Sequence, residues 1–236
     1  MIRTLLLGTA IAAAAFPALA APAKKAAAPA FTAANPFAKP STLPFQAPRF
    51  DLIKDSDYEP AQVAGIAQQR AEILRIANNS KPATFDNTLV AMERSGELLE
   101  RAQLAFSAVS GANTDDALQA VETAMSPRLA AHRDFIFLNP KLFARVKSLH
   151  DRQASLGLDL EQAKLLQVQY DNFIKAGAQL SPPKQAQLKA LNLKLGSAET
   201  AFTQKLLAAA KAGALHVTDK AALAGLTDEQ IAAAAA

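Results

Sequence analysis

TFDNTLVAMERSGELLERAQLAF, residues Thr84–Phe106, is the stretch whose spacing decides the fold. Phe85, Leu89, Met92, Gly96, Leu99 and Phe106 recur three, four or seven residues apart and share one face of a predicted helix. Glu93, Arg94, Glu97, Glu100 and Arg101 fall largely on the other face, with Glu97 and Arg101 in the favourable i,i+4 order. Thr84 suits the N-cap, and Asp86 follows in the first turn, where the helix dipole favours negative charge. The pattern predicts one helix to about Ser110, capped at Gly111, with Ser95-Gly96 inside it.

Helical spacing extends outward in both directions. Upstream, Pro60 suits the first position of a helix starting near Tyr58, with Val63, Ile66, Ile73, Leu74 and Ile76 on its buried side and a stop at Asn78–Ser80. Downstream, a helix starting at Asn113 or Thr114 carries Leu118, Val121 and Met125, and Pro127 is expected to kink or divide it. Asn139-Pro140 is a cap and first position for a helix with Leu142, Phe143, Val146 and Leu149, ending by Gly157. Asp159–Ala178 places Ala163, Leu166, Tyr170, Phe173 and Ile174 on one face. Ser181-Pro182 then opens the longest periodic segment, to about Ala212, with Leu188, Leu191, Leu195, Ala198, Phe202 and Leu206 down one side. Leu215–Thr218 is the one strand-like fragment, and Thr227–Gln230 is a capping box followed by Ile231 and alanines, a helix expected to be cut off within the element. The fold class predicted is all-α, an antiparallel helical bundle.

The N-terminal part differs in kind. Residues 1–20 read as a secretory signal peptide: Arg3, an apolar run from Leu5 to Ala15, and Ala18-Leu19-Ala20 as the cleavage site. An uncleaved anchor is the alternative, but the run is shorter than the roughly 20 residues a spanning helix needs. Export, to the periplasm in a Gram-negative cell, is the expectation, with no membrane attachment after cleavage. Residues 21–34 are an Ala/Pro/Lys-rich tether, and residues 35–236 the helical region. Pro36, Pro40, Pro44 and Pro48 keep the start of that region extended. Phe37, Leu43, Phe45 and Phe50 suggest that it lies on a helical surface, with a proline-rich ligand for another protein as the competing reading.

Composition excludes several chemistries. The 236 residues carry no cysteine, which removes disulfides, thiol nucleophiles and Cys-ligated metals. A formal charge of +4 is spread out, its densest point Lys24-Lys25, unlike the clustered basic surface of a nucleic-acid binder. His132, His150 and His216 lack the paired i,i+4 spacing with an intervening glutamate that a zinc peptidase helix uses. No G-x-S-x-G, G-x-G-x-x-G or Walker sequence occurs. Glu93, Glu97 and Glu100, with Arg94 and Arg101 beside them, read as a solvated charged face.

The order of residues says more. Asn35-Pro36, Leu43-Pro44-Phe45, Asp57–Ala61 (DYEPA), Thr84–Thr88 (TFDNT), Ser95-Gly96, Asn113-Thr114, Pro127, His132 and Leu138–Val146 (LNPKLFARV) occur in sequence. Together they resemble the N-terminal helical region of the thimet oligopeptidase-like zinc metallopeptidases, in particular the bacterial peptidyl-dipeptidases. Asp86 departs from the glutamate more usual in that family. The resemblance implies a helical ellipsoid split by a deep channel, with these helices as one wall that admits only short peptides. It implies release of C-terminal dipeptides, and zinc held by an HExxH helix and a further glutamate in a C-terminal catalytic region. No position here matches those ligands, so no catalytic, cofactor-binding or metal residue is carried over, and the chain alone is expected to be inactive. The alternatives are a free-standing periplasmic helical protein that binds peptides without catalysis, or a purely structural exported protein.

Overall fold

The computed structural model describes residues 30–215 and 217–235, so the expected signal peptide (residues 1–20), residues 21–29 of the expected tether, His216 and Ala236 lie outside the described part. The elements are α1 (Asp55–Ala77), α2 (Ala91–Glu93), α3 (Glu97–Ala112), α4 (Asp116–Phe137), α5 (Pro140–Asp151), α6 (Leu160–Lys175), α7 (Pro182–Ala212) and α8 (Asp228–Ala235), with no strand among the described residues. The fold is all-α. Residues 215, 217 and 218 of the strand-like fragment lie in irregular chain.

α1 is the central element, because its two halves face two separate cores. Its N-terminal half joins α3 and the start of α4 around Phe37, Tyr58, Ile66, Leu99, Phe106 and Met125. Its C-terminal half packs Ile73 and Ile76 with Leu89, Met92, Leu142, Val146 and Phe173 from the turn before α2, α2, α5 and α6. Close packing of α1 on α3 requires Gly65: a Cβ there would lie 2.7 Å from the Leu99 Cα and backbone nitrogen. Gln62, Gln69, Thr88 and His132 bring polar atoms into or beside this interior.

The local start signals act where they depend only on neighbours. Asn139 accepts from the N–H groups of Lys141 and Leu142. Asp159 and Gln162 form a reciprocal capping box, and so do Thr227 and Gln230. Thr84 and Asn87 also bond reciprocally, at 3.1 and 2.9 Å.

Tertiary context moves other boundaries. The helix expected over Thr84–Ser110 is broken: a π-turn (Asp86–Val90) leads into α2, and Gly96 at φ 85° separates it from α3, which continues past Gly111 to Ala112. That left-handed conformation is one a glycine adopts without steric cost. α1 starts at Asp55, ahead of the expected Tyr58, because the Asp57 carboxylate accepts from the Lys54 N–H at 2.9 Å. Val63 and Leu74, expected in the core, are exposed at 39% and 43%, while Tyr58, Ala61 and Gly65 take the buried side. α4 begins after Asp115, whose side chain caps the Leu118 N–H at 2.8 Å, and runs through Pro127 undivided. One ladder bond is lost there, while Val121 and Met125 before the proline and Leu138 just past the helix end are anchored in the interior.

In the proline-rich segment, Phe37 is buried against Tyr58 at 5.6 Å between ring centroids, and Asn35 donates to the Asp57 carbonyl. Leu43, Phe45 and Phe50 do not dock; Phe45 is fully exposed at φ 58°. Phe31, within the expected tether, packs against the first core. α7 has the predicted bounds but lies apart from both cores: none of its residues is buried, and Leu191, Leu195, Phe202 and Leu206 are exposed. The side toward α4 is polar and small: Asn192, Gly196 and Gln204 make the contacts.

Candidate functional site

The motif residues separated in sequence meet in space. Asn87 in the TFDNT turn and Arg145 in LNPKLFARV form the tightest such junction. The Arg145 guanidinium is buried and donates to the carbonyls of Asn79 (2.9 Å) and Lys81 (3.0 Å) and to Asn87 Oδ1 (2.6 Å). Asn87 in turn donates to the Pro82 carbonyl at 3.0 Å. Arg152, two turns further along, donates to the Ala83 carbonyl. The loop between α1 and the π-turn is thus held from beneath by two arginines bonding backbone oxygens. Burial pushes the Arg145 pKa down from its ordinary value, yet a guanidinium remains charged under any physiological condition.

A second junction joins Ser95-Gly96 to His132. His132 Nε2 lies 2.7 Å from Gln69 Oε1, and Gln69 Nε2 donates to both the carbonyl (3.2 Å) and the hydroxyl (3.3 Å) of Ser95. Because the Gln69 oxygen accepts, the network assigns the imidazole proton to Nε2; Nδ1 is buried with no partner. The Gly96 N–H donates to Glu72 Oε2 at 2.8 Å. Burial, with a smaller contribution from the charge of Arg70, lowers the His132 pKa to about 4, so the ring is neutral near pH 7.

The other polar groups singled out in the sequence are likewise engaged by neighbours. Ser95 donates its hydroxyl to the Met92 carbonyl at 2.7 Å, as local bonding at the end of a helical turn predicts, although the turn ends there. His150 stacks on Tyr170 at 3.8 Å between ring centroids and points Nε2 at Gln167. Glu93 accepts from Gln169, and Glu97 pairs with Arg101 at 3.8 Å as expected. Among the described residues no three His, Asp or Glu side chains converge as a metal site. His132 offers no free nitrogen to a metal: its Nε2 is engaged by Gln69 and its Nδ1 is enclosed.

The concave features lie on the outside. A cleft of about 1020 Å³ runs between the α3–α4 turn, including Asp115 and Asp116, and the C-terminal part of α7 at Gln204 and Lys211. A smaller depression of about 390 Å³ lies beside Glu72, Arg75, Asn87 and Arg94. Sequence reasoning identified the motifs but assigned no role to Arg145, Gln69 or Glu72. Only Arg145 lay inside a quoted motif; for the other two no sequence signal distinguished them from surface polar residues.

An all-helical segment stapled together at these junctions is the class of structure in hand, and its relatives are known enzymes. The chain is 46% identical over 201 residues to the dipeptidyl carboxypeptidase of Salmonella typhimurium and 45% identical over 204 residues to that of Escherichia coli. These matches cover 85% and 86% of the chain. More distantly, it is 22% identical over 197 residues to oligopeptidase A of the same two organisms. The chain spans 30% of the length of each dipeptidyl carboxypeptidase. No protein-family profile matches it. Among the described residues no helix is long and apolar enough to cross a membrane.

Proposed function

We propose that this chain is the N-terminal helical part of an exported zinc metallopeptidase that releases C-terminal dipeptides from short peptides, and that its helices form one wall of the substrate channel. The observation that carries the reading is 45–46% identity to two dipeptidyl carboxypeptidases along 85–86% of the chain. Its support in the fold is that the motifs that carry the resemblance are structural. Asn35 with Asp57, Asn87 with Arg145, and Ser95 with His132 through Gln69 are contacts that preserve a scaffold. The zinc, and the groups that act on the peptide bond, belong on this reading to the remaining length of the relatives.

The role assigned to this chain is positional. Its helices exclude bulky substrates by filling space, and its buried polar junctions hold the wall in one conformation. The test is the coding sequence downstream of residue 236 together with the activity of its product. A reading frame that continues into an HExxH helix, and a purified product with chelator-sensitive release of C-terminal dipeptides, support the proposal. Stoichiometric zinc and peptidase activity in the 236-residue chain alone would overturn the division of labour. Intact mass of the secreted protein tests export, with Ala21 expected at the N-terminus.

A further inference from the structure

α4, α6 and α7 meet around a cavity of about 420 Å³, in the range of roughly 300–1,000 Å³ typical of small-molecule sites. Asp134 of α4 lines it and is only 6% exposed. Its Oδ1 accepts from Asn192 of α7 at 2.7 Å, while its Oδ2 is enclosed and has no hydrogen-bond partner. A carboxylate oxygen removed from water costs free energy unless a donor meets it. The two cations that line the cavity do not. Arg133 holds its guanidinium over the Phe137 ring, 5.5 Å from the centroid, and Lys175, in the last turn of α6, is exposed.

The charges around the cavity narrow what would satisfy that oxygen. Asp134 and the exposed Glu199 balance Arg133 and Lys175, so the lining is neutral as a whole but divided. Its buried charge is negative, and both of its positive charges are exposed. The C-terminal turn of α6 also ends at the cavity, where a helix dipole favours positive charge. A metal ion would find only two carboxylates there, and no three His, Asp or Glu side chains converge as a metal site among the described residues. An anion alone would face the Asp134 carboxylate, and a cation alone would face Arg133 and Lys175. A ligand carrying both charges meets each with its complement: an ammonium donates to Asp134 Oδ2, and a carboxylate accepts from Arg133 and Lys175.

We propose that the cavity between α4, α6 and α7 binds a small zwitterion, an α-amino acid or a dipeptide, with its ammonium on Asp134 and its carboxylate toward Arg133 and Lys175. The site lies wholly within this chain, so the inference does not depend on the peptidase reading.

Calorimetric titration and thermal melts of the 236-residue chain near pH 7 test it with alanine, Ala-Ala and their end-blocked forms. At about 20 mM the tighter of the two zwitterions should raise the Tm by about 2 °C or more. Whichever of them binds more tightly identifies the source, a free amino acid or a dipeptide. The N-acetylated form lacks the ammonium and should bind at least about tenfold more weakly. Asp134→Asn keeps an oxygen for Asn192 and removes the charge. It should weaken zwitterion binding at least about tenfold and leave the unliganded Tm within about 2 °C. Arg133→Met with Lys175→Met, both at exposed positions, should weaken the zwitterion about threefold or more and leave the carboxyl-amidated form unchanged. Two purely structural cations would not separate the two ligands in this way. The proposal is overturned if wild type shows no saturable binding of either zwitterion, if the N-acetylated form binds as tightly, or if either variant binds the zwitterion as wild type does.

Discussion

Arg145 concentrates the residue-scale logic of this protein. Its guanidinium bonds two backbone carbonyls and one amide oxygen and has no carboxylate partner among the described residues. Replacing it with methionine preserves much of the apolar stem and leaves the Asn79 and Lys81 carbonyls short of a donor. With Asn79 half-buried and Lys81 exposed, water recovers part of what these carbonyls lose, so Arg145→Met should destabilise the chain by about 1–3 kcal/mol, read as a lower urea midpoint at unchanged slope. Lysine should not rescue it, because a single ammonium cannot span the three oxygens. His132 gives a pH signature of opposite origin. Its folded pKa, about 4, lies below the 6.5 of a free imidazole. Between those values the unfolded chain binds a proton that the folded chain refuses. This contribution is therefore present above pH 6.5 and lost as pH falls toward 4, by about 2 kcal/mol at pH 4.5. His132→Asn keeps a donor for Gln69 and removes the titration. Urea melts at pH 7 and 4.5 should show the wild type losing that much more stability than the variant. Equal losses would mean that the ring is already solvated.

At the scale of elements, what the amino-acid order made legible was what depends on near neighbours. Asn139, Asp159 and Thr227 cap the helices they precede, since a cap needs only N–H groups two or three residues away. The break at Gly96 was not legible. Periodicity across Thr84–Phe106 is continuous, and what turns the chain is the Gln69 amide pressed against Gly96 from α1, with Glu72 holding its N–H. At Pro127, of the two expected outcomes, division does not occur: a helix anchored in the interior on both sides absorbs one missing bond. The α1–α3 contact tests this view of tertiary control. Gly65→Ala would place a methyl 2.7 Å from the Leu99 backbone, which cannot swing aside as a side chain can. The helices must separate, at a cost of about 2–3 kcal/mol despite alanine's better helix propensity. A thermal melt that shows Gly65→Ala equal to or above the wild type would refute the close approach.

At the scale of the whole molecule, the two cores and α7 differ in what holds them. Residues of α1 contribute to both cores and include Tyr58, Ala61 and Ile73, each nearly inaccessible. α7 contributes no buried residue, and its bonds to α4 are polar and partly exposed. The stripe from Leu191 to Leu206 was legible as one face of a long helix, and no partner for it was. Periodicity reports that a face is apolar, and it is silent on which partner covers it. Amides open locally at a free energy set by the apolar contact broken in doing so. Hydrogen exchange of the 236-residue chain should therefore show a hierarchy. Amides of Ile66–Ile76 should exchange only through global unfolding, with a denaturant dependence equal to that of the equilibrium melt. Amides of α7 beyond Gly196 should exchange at least about a hundredfold faster, through an opening that exposes little surface and responds weakly to denaturant. Equal protection of the two helices would place α7 inside the cooperative unit.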